Sequence, residues 1–185
     1  MSDENSVDAT LEKLQQESFN YFLHETNPAN GLVVDKNEAN WPASIAATGL
    51  ALASYPVAVE RGFMPRAAAG RRTLNTLRFF WNSPQGPEPD AIGYKGFYYH
   101  FLDAQSGRRV WQCELSTVDS AFLLVGALTA GIYFDAETAD EHEIRTLADA
   151  LYRRADWQWA RNQGCHGRAR LETRKRISKI SLGRL

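Results

Sequence analysis

Residues 117–133 have the sequence TVDSAFLLVGALTAGIY, in which Asp119 is the one charged side chain. A stretch that is apolar on nearly all sides predicts a helix buried by its neighbours. Its uninterrupted apolar part, 121–134, includes Thr129 and is too short to cross a bilayer. We therefore expect this helix in the core of a soluble protein.

Apolar residues recur at helical spacing on both sides of this run and predict four more helices. These helices cover about residues 9–24, 44–60, 66–81 and 140–161. The loops between them are long, which is typical of stacked helical hairpins in an α/α barrel and unusual for a four-helix bundle. We predict an all-α fold that forms part of an α/α barrel.

One segment departs from the helical pattern. Residues 97–102 read FYYHFL and alternate with the period of a strand. Residues 103–107 predict a turn, and residues 108–112 predict the returning strand. We expect a short β-hairpin insertion at about residues 94–112 and no β structure elsewhere.

Residues 93–120 contain both aromatic and carboxylate side chains, and proteins that bind and cleave sugars use both kinds of side chain. Sugar rings stack on aromatic faces, and glycosidic cleavage needs one carboxylic acid to protonate the leaving oxygen and a second carboxylate to activate water or to attack. Glu114 and Asp119 are the candidate catalytic residues. The candidate substrate-binding residues are Asp35, Trp41, Tyr99, His100 and Trp111.

Each candidate also has a purely structural interpretation. The run STVD at 116–119 resembles a capping box, in which Asp119 would serve the helix amides. Glu114 would then be a solvated loop residue. Tyr99 and His100 would pack within the hairpin, Trp41 would plug a helix end, and Asp35 would stabilise a turn.

Charge and motifs exclude several classes of function. Residues 1–160 carry 13 basic and 21 acidic side chains, so this part of the chain lacks the excess positive charge that nucleic-acid binding requires. No phosphate loop and no metal-ligand spacing is present, and we expect neither a metal nor an organic cofactor. The first ten residues do not form a secretory signal, which favours the cytoplasm, with the periplasm as the alternative if the sequence has been trimmed.

Six segments, in order, resemble the bacterial glucoamylase-like family, which includes endo-β-1,2-glucanases and a domain of cyclic β-1,2-glucan synthases. The segments are GLVVD (31–35), SIAATGL (44–50), VERGF (59–63), GFYYHFLD (96–103), ELSTVD (114–119) and IRTLAD continuing to DW (144–157). The resemblance implies an (α/α)6 barrel, hydrolysis of β-glucan with inversion, and a central pocket lined by Glu114.

The resemblance covers residues 10–163, which we assign to the amino-terminal part of such a domain, after a disordered segment at 1–9. Twelve barrel helices do not fit into 163 residues. Residues 161–185 carry eight basic side chains and one acid, and a frameshift or premature stop would produce the atypical tail at 164–185.

We expect this chain to hydrolyse little β-glucan alone and to self-associate through exposed apolar helix faces. The alternative is a non-catalytic helical module that binds a glycan or a protein.

Overall fold

The computed structural model of the protein describes residues 2–163. Most of these residues are helical, as the sequence predicts, and a small amount of sheet lies among the helices. The predicted tail at 164–185 lies outside the described residues. The elements in chain order are α1 (Ser2–His24), β1 (Ala43–Ser44), α2 (Ile45–Glu60), α3 (Arg66–Asn82), β2 (Gly93–Tyr94), β3 (Phe97–Tyr99), β4 (Phe101–Leu102), β5 (Leu115–Ser116), α4 (Thr117–Tyr133), α5 (Ala139–Arg154) and α6 (Trp157–Gln163).

Helix α1 begins earlier than the sequence analysis predicts. The helix predicted from about residue 9 starts at Ser2 in the structure, and disorder at residues 1–9 stays a prediction. Residues 2–26 contain neither glycine nor proline, so nothing in this stretch interrupts a helix. Residues 7–18 are exposed, and the helix contacts the body through Phe19, whose ring lies 6.4 Å from that of Tyr55 and 6.3 Å from that of Phe63.

The helix predicted at 140–161 is in fact two helices, α5 and α6. Asp156 accounts for the break, because its N–H donates to the carbonyl of Lys95 at 3.0 Å. Its carboxylate pairs with the Lys95 ammonium at 2.9 Å and accepts the Trp159 N–H at 2.9 Å. An aspartate that accepts an N–H three residues later is an N-cap, so a new helix begins here. The spacing of apolar residues continues across the break and does not reveal it.

Helices α2 and α4 each follow a two-residue strand and begin after a serine N-cap. Ser44 Oγ accepts the N–H of Ala47 at 3.5 Å, and Ser116 Oγ accepts the N–H of Asp119 at 3.1 Å. A serine in this position satisfies one of the free amides at a helix start. The two most apolar helices of the described chain therefore begin in the same way, each directly at the end of a strand.

The backbones of α2 and α4 touch where the two helices cross. A Cβ atom added to Gly49 would lie 2.6 Å from the Cα of Leu123, so only glycine fits there. Helix α3 packs against α2 and α5, and α5 packs against α4, which closes a four-helix core. Fully buried side chains of this core include Leu52, Leu77, Phe80, Leu123 and Leu124. Within residues 2–163, no helix combines the length and the apolarity needed to cross a membrane.

The β structure differs from the predicted hairpin. Strand β4 pairs with β1 in an antiparallel two-stranded sheet, and β3 lies between β2 and β5 in an antiparallel three-stranded sheet. Both β1 and β5 lie outside 94–112, so the prediction that β structure is confined there is wrong. The predicted return strand at 108–112 makes a single bridge, between Arg109 and Leu102. It ends there because Trp111 and Gln112 adopt left-handed φ values of 55° and 51°, which are incompatible with a strand.

An ion pair and its surrounding hydrogen bonds join α3 to the start of α5. The Arg66 guanidinium donates to both oxygens of Glu141, from Nε at 2.9 Å and from Nη2 at 2.8 Å, and Nη2 also donates to the carbonyl of Tyr133. The same carboxylate accepts the N–H of Ala136 at 2.8 Å. The hydrogen bonds from Arg66 are the main reason that the pKa of Glu141 lies below its ordinary value, and burial opposes them. These contacts hold the turn between α4 and α5.

Candidate functional site

His100 lies between β3 and β4 and connects the starts of the two central helices. Its N–H donates to the carbonyl of Glu114 at 3.0 Å, and its carbonyl accepts the N–H of Ile45 at 3.2 Å. Ile45 is the first residue of α2, and Glu114 directly precedes β5 and α4. The backbone of His100 therefore sets where both helices begin relative to each other.

The side chain of His100 faces both candidate carboxylates. Its Nδ1 lies 3.5 Å from Oε1 of Glu114 and 3.5 Å from Oδ2 of Asp119. Because each distance is 3.5 Å, these two oxygens lie no more than 7.0 Å apart. The three side chains are only 20–28% exposed, so they form a partly buried cluster that still reaches solvent. We call His100, Glu114 and Asp119 the carboxylate cluster.

The structure shows one half of the capping box predicted at Asp119. Its N–H is bound by Ser116 Oγ, as the capping motif predicts. Its carboxylate, however, lies beside the imidazole of His100. The backbone of Asp119 thus serves the helix start while the side chain is positioned in the cluster, so capping and a site role do not compete for the same group.

A row of aromatic rings extends from the carboxylate cluster across the surface. The His100 ring stacks on Phe101, with 3.9 Å between centroids and 13° between planes. Phe101 meets Trp111 at 5.3 Å, and Trp111 meets Trp41 at 5.0 Å. Lys36 Nζ covers Trp41 at 3.5 Å from its ring centroid. We call these four rings the aromatic row; its most exposed member is Trp111, at 60%.

Tyr99 is held under Arg109. The guanidinium carbon of Arg109 lies 3.8 Å from the centroid of the Tyr99 ring, so one face of that ring is covered. The backbone of Tyr99 pairs with Leu115 across β3 and β5. This placement agrees with the packing interpretation of Tyr99, and the prediction that it contacts substrate stays a prediction.

Asp35 lies in the loop before α2. Its N–H donates to the carbonyl of Pro42 at 3.0 Å. The Tyr21 hydroxyl donates to the carbonyl of Val34, the residue directly before Asp35. The pKa of Tyr21 is raised, mainly by burial and further by the charges of Glu25 and Asp35. The structure therefore groups Asp35 with α1 and a turn, whereas Trp41 from the same loop joins the aromatic row.

Sequence reasoning missed three residues of this region. Phe101 was predicted only as a strand residue, yet its ring lies between His100 and Trp111. Arg109 and Cys113 had no motif to mark them, because each acts through a contact that is set by the fold. Within residues 2–163, no group of three or more His, Cys, Asp or Glu side chains is arranged to hold a metal ion.

A separate open groove of about 450 Å³ lies between the loop at 29–30, α3 and the loop that follows it. Two of its polar side chains are already engaged: Arg78 makes two hydrogen bonds to Glu143, and the Asn75 amide donates to the carbonyl of Pro28. None of its lining residues belongs to the carboxylate cluster or to the aromatic row. This groove is therefore separate from the candidate site.

Comparison with known proteins identifies relatives of this chain. No family model matches the chain. The curated exo-β-1,2-glucooligosaccharide sophorohydrolase of Parabacteroides distasonis is 27% identical over 155 residues, which are 80% of this chain and 20% of that protein. The chain therefore spans about a fifth of the curated relative.

Two solved structures have the same fold. A candidate glucoamylase from Bacteroides uniformis superposes with a TM-score of 0.72 at 28% identity, over 84% of this chain and 38% of that one. A β-1,2-glucanase from Parabacteroides distasonis superposes with a TM-score of 0.71 at 25% identity, over 82% of this chain and 22% of that one. These neighbours are β-1,2-glucanases and glucoamylase-like proteins, which confirms the resemblance seen in the sequence.

Proposed function

We propose that this chain is the amino-terminal part of a glycoside hydrolase-like domain whose intact form cleaves β-glucan, with β-1,2-glucan as the first substrate to test. The observation that carries the proposal is the carboxylate cluster, in which Glu114 and Asp119 both lie 3.5 Å from Nδ1 of His100. The similarity to a β-1,2-glucooligosaccharide hydrolase supports the linkage.

The geometry suits acid–base cleavage of a glycosidic bond. Paired carboxyl groups lie about 5–5.5 Å apart in retaining enzymes and about 6.5–9.5 Å apart in inverting ones. The upper limit of 7.0 Å between Oε1 of Glu114 and Oδ2 of Asp119 admits both arrangements. In our proposal Glu114 is the carboxylate nearest the chemistry, and it protonates the leaving oxygen. The second carboxylate is Asp119 or belongs to the part of the barrel that this chain lacks.

The aromatic row supplies the binding surface. Trp111 is 60% exposed and adjoins the cluster through Phe101, so a sugar ring stacked on it would lie next to the carboxylates. Lys36 already covers one face of Trp41, which leaves Trp111 as the stronger candidate for stacking. An extended glucan lying along the row would place one glycosidic bond over Glu114.

We also propose that α2 and α4 are inner helices of an incomplete (α/α)6 barrel. Both begin beside His100, and α2 packs against α3 while α4 packs against α5. On its other side α4 exposes apolar side chains in a row, where the next helices of a barrel would pack. These side chains are Val118 at 66%, Phe122 at 50%, Val125 at 61% and Ile132 at 80% exposure, and we call them the α4 apolar face.

A second candidate function is glycan binding without cleavage. The exposed Trp111 favours it, because a stacking surface works as a binding site whether or not a second catalytic carboxylate is present. The two functions differ in one outcome: a binding module retains the glucan unchanged, whereas a hydrolase releases shorter oligosaccharides.

The deciding experiment uses linear β-1,2-glucan with this chain, with its E114Q variant and with a longer relative that carries the matching substitution. We expect the relative to lose about 10²–10⁴-fold in turnover, as is usual when a general acid is removed. We expect this chain to bind the glucan but to release little product. A loss below tenfold in the relative would rule out a chemical role for Glu114, and a β-1,3-glucan serves as the control for linkage.

A further inference from the structure

The loop that leads to Glu114 has an unfavourable backbone. Trp111 and Gln112 are consecutive non-glycine residues in the left-handed region. The left-handed conformation is strained for residues that carry a side chain, and such a loop persists only when its surroundings hold it in place. The same loop carries Trp111 of the aromatic row and ends at Glu114 of the carboxylate cluster, so whatever holds the loop also sets both groups.

Arg109 makes the contacts that hold this loop on one side. Its Nη2 donates to the carbonyl of Cys113, the residue directly before Glu114. Its guanidinium carbon lies 3.8 Å from the centroid of the Tyr99 ring, and Tyr99 directly precedes His100 in the chain. The backbone of Arg109 is itself anchored by its bridge to Leu102. One side chain therefore links the residue before His100 to the residue before Glu114.

Cys113 holds the loop on the other side. Its buried thiol accepts the N–H of Phe101 at 3.2 Å and donates to the carbonyl of Phe101 at 3.3 Å. The thiol thus gives the Phe101 N–H an acceptor and is a second donor to the Phe101 carbonyl, which also accepts the N–H of Val110. With its carbonyl bound by Arg109, Cys113 is fixed at two points, and the Glu114 side chain starts from a fixed backbone.

We propose that Arg109 is a positioning residue, which keeps Trp111 and Glu114 in the geometry described above without touching the reacting atoms. The effect of Arg109 on glucan binding rests on the function proposed above, whereas the effect of Arg109 on the loop does not depend on that function. Lysine cannot replace it, because a compact ammonium neither stacks as a plane on Tyr99 nor donates along the same direction to the Cys113 carbonyl.

The test measures amide hydrogen exchange in the full chain for R109A, R109K and the matched control R108A, whose arginine is exposed one residue away. The reporter is the His100 N–H, which bonds to the carbonyl of Glu114, and the internal control is the Ile45 N–H, which bonds to His100 on its opposite side. We expect R109A and R109K to speed exchange at His100 about tenfold, with Ile45 and the melting temperature unchanged. R108A should leave both amides unchanged.

Two further readouts separate positioning from general stability. Millimolar guanidinium should restore the exchange rate of His100 in R109A, since it supplies the missing plane of donors. Affinity for linear β-1,2-glucan should fall about tenfold in both Arg109 variants and not in R108A. An unchanged His100 amide in both variants would overturn the proposal, and so would uniformly faster exchange with a lowered melting temperature. If the parent chain binds no glucan, the proposed function fails while the exchange data still decide the role of Arg109.

Discussion

Gly126 of α4 faces the backbone of Gly49 of α2 and has no space for a side chain there, so the two central helices meet backbone to backbone. A Cβ atom on Gly126 would lie 3.0 Å from the Cα of Gly49 and closer still to its carbonyl. No side chain of either residue separates the helices. The distance between them, and hence the distance between the two helix starts at His100, depends on these two glycines.

Replacing Gly126 with alanine should therefore destabilise the protein. The added methyl group has no space, and overpacking of this kind typically costs about 1–3 kcal/mol. Gly70 of α3 offers the matched control, because a Cβ atom there would meet its nearest neighbour, the Phe134 ring, at an ordinary 3.7 Å. G70A should be neutral or stabilising by up to about 1 kcal/mol, as expected for alanine in a helix. Urea unfolding of both variants measures the difference, and equal stabilities would contradict the close approach.

Capping and site roles at the start of α4 should separate by substitution. S116A removes the acceptor of the Asp119 N–H and should lower stability by about 1 kcal/mol. D119N keeps the backbone N–H and should leave stability within about 0.5 kcal/mol while weakening the interaction with glucan. Thermal unfolding and glucan binding, measured on both variants, give the two readouts. A large loss of stability in D119N with intact binding would return Asp119 to a purely structural role.

Acid should weaken the fold through Glu141. Its pKa in the folded protein lies below its ordinary value, chiefly because of the hydrogen bonds from Arg66. A group of this kind stabilises the fold above its ordinary pKa of about 4.3. That stability is lost as the pH falls through the lowered folded value. E141Q should cost roughly 1–3 kcal/mol at pH 7 and flatten the dependence of stability on pH below about 5.

Glu143 provides the control for that measurement. Its carboxylate pairs with Arg78, but the two side chains are 39% and 48% exposed, against 11% for Glu141. Exposed pairs contribute about 0–1 kcal/mol. Denaturant unfolding at pH 7, 5 and 3 should therefore show a small effect of E143Q. A larger acid sensitivity from Glu143 than from Glu141 would contradict the assignment.

Trp111 should dominate glucan binding. W111A removes the exposed ring of the aromatic row and should weaken binding by about 1–2 kcal/mol, which is roughly 5–30-fold. Trp157, 39% exposed and packed against Phe97 and Tyr152, is a tryptophan outside the row and makes the control. Tryptophan fluorescence titration with linear β-1,2-glucan distinguishes the two variants. Equal effects of W111A and W157A would mean that the row is not the binding surface.

The α4 apolar face should make this chain self-associate. Single exposed apolar residues are ordinary, but a contiguous row usually marks an interface or an aggregation risk. Sedimentation should show species larger than the monomer, and I132E and V125E should shift them toward the monomer without loss of helicity, because both side chains are exposed. A compact monomer of the parent chain that binds no hydrophobic dye would defeat this prediction. Val7, exposed on α1, gives the control V7E.

Much of the fold could be predicted because its signals are local. The apolar run at 117–133 predicts a buried helix, and α4 covers those same residues. The serine N-caps, and Gly62 with its φ of 72° after α2, also follow from short motifs. Contacts between residues far apart in the chain could not be predicted. Asp156, for example, is the N-cap of α6 and is held in place by Lys95, 61 positions earlier. A periodic pattern contains no information about such a partner.

The sequence by itself determined which groups are available: an apolar helix, a run of aromatic rings, and two carboxylates, Glu114 and Asp119, five positions apart. Only the tertiary structure decided how they meet. The pairing of β3 with β5, and of β4 with β1, sets His100 between two helix starts and both carboxylates against one ring nitrogen. The physical reason is that strand pairs, backbone contact between glycines and a stacked arginine join residues far apart in the chain, and their energies depend on distances that exist only once the helices have packed.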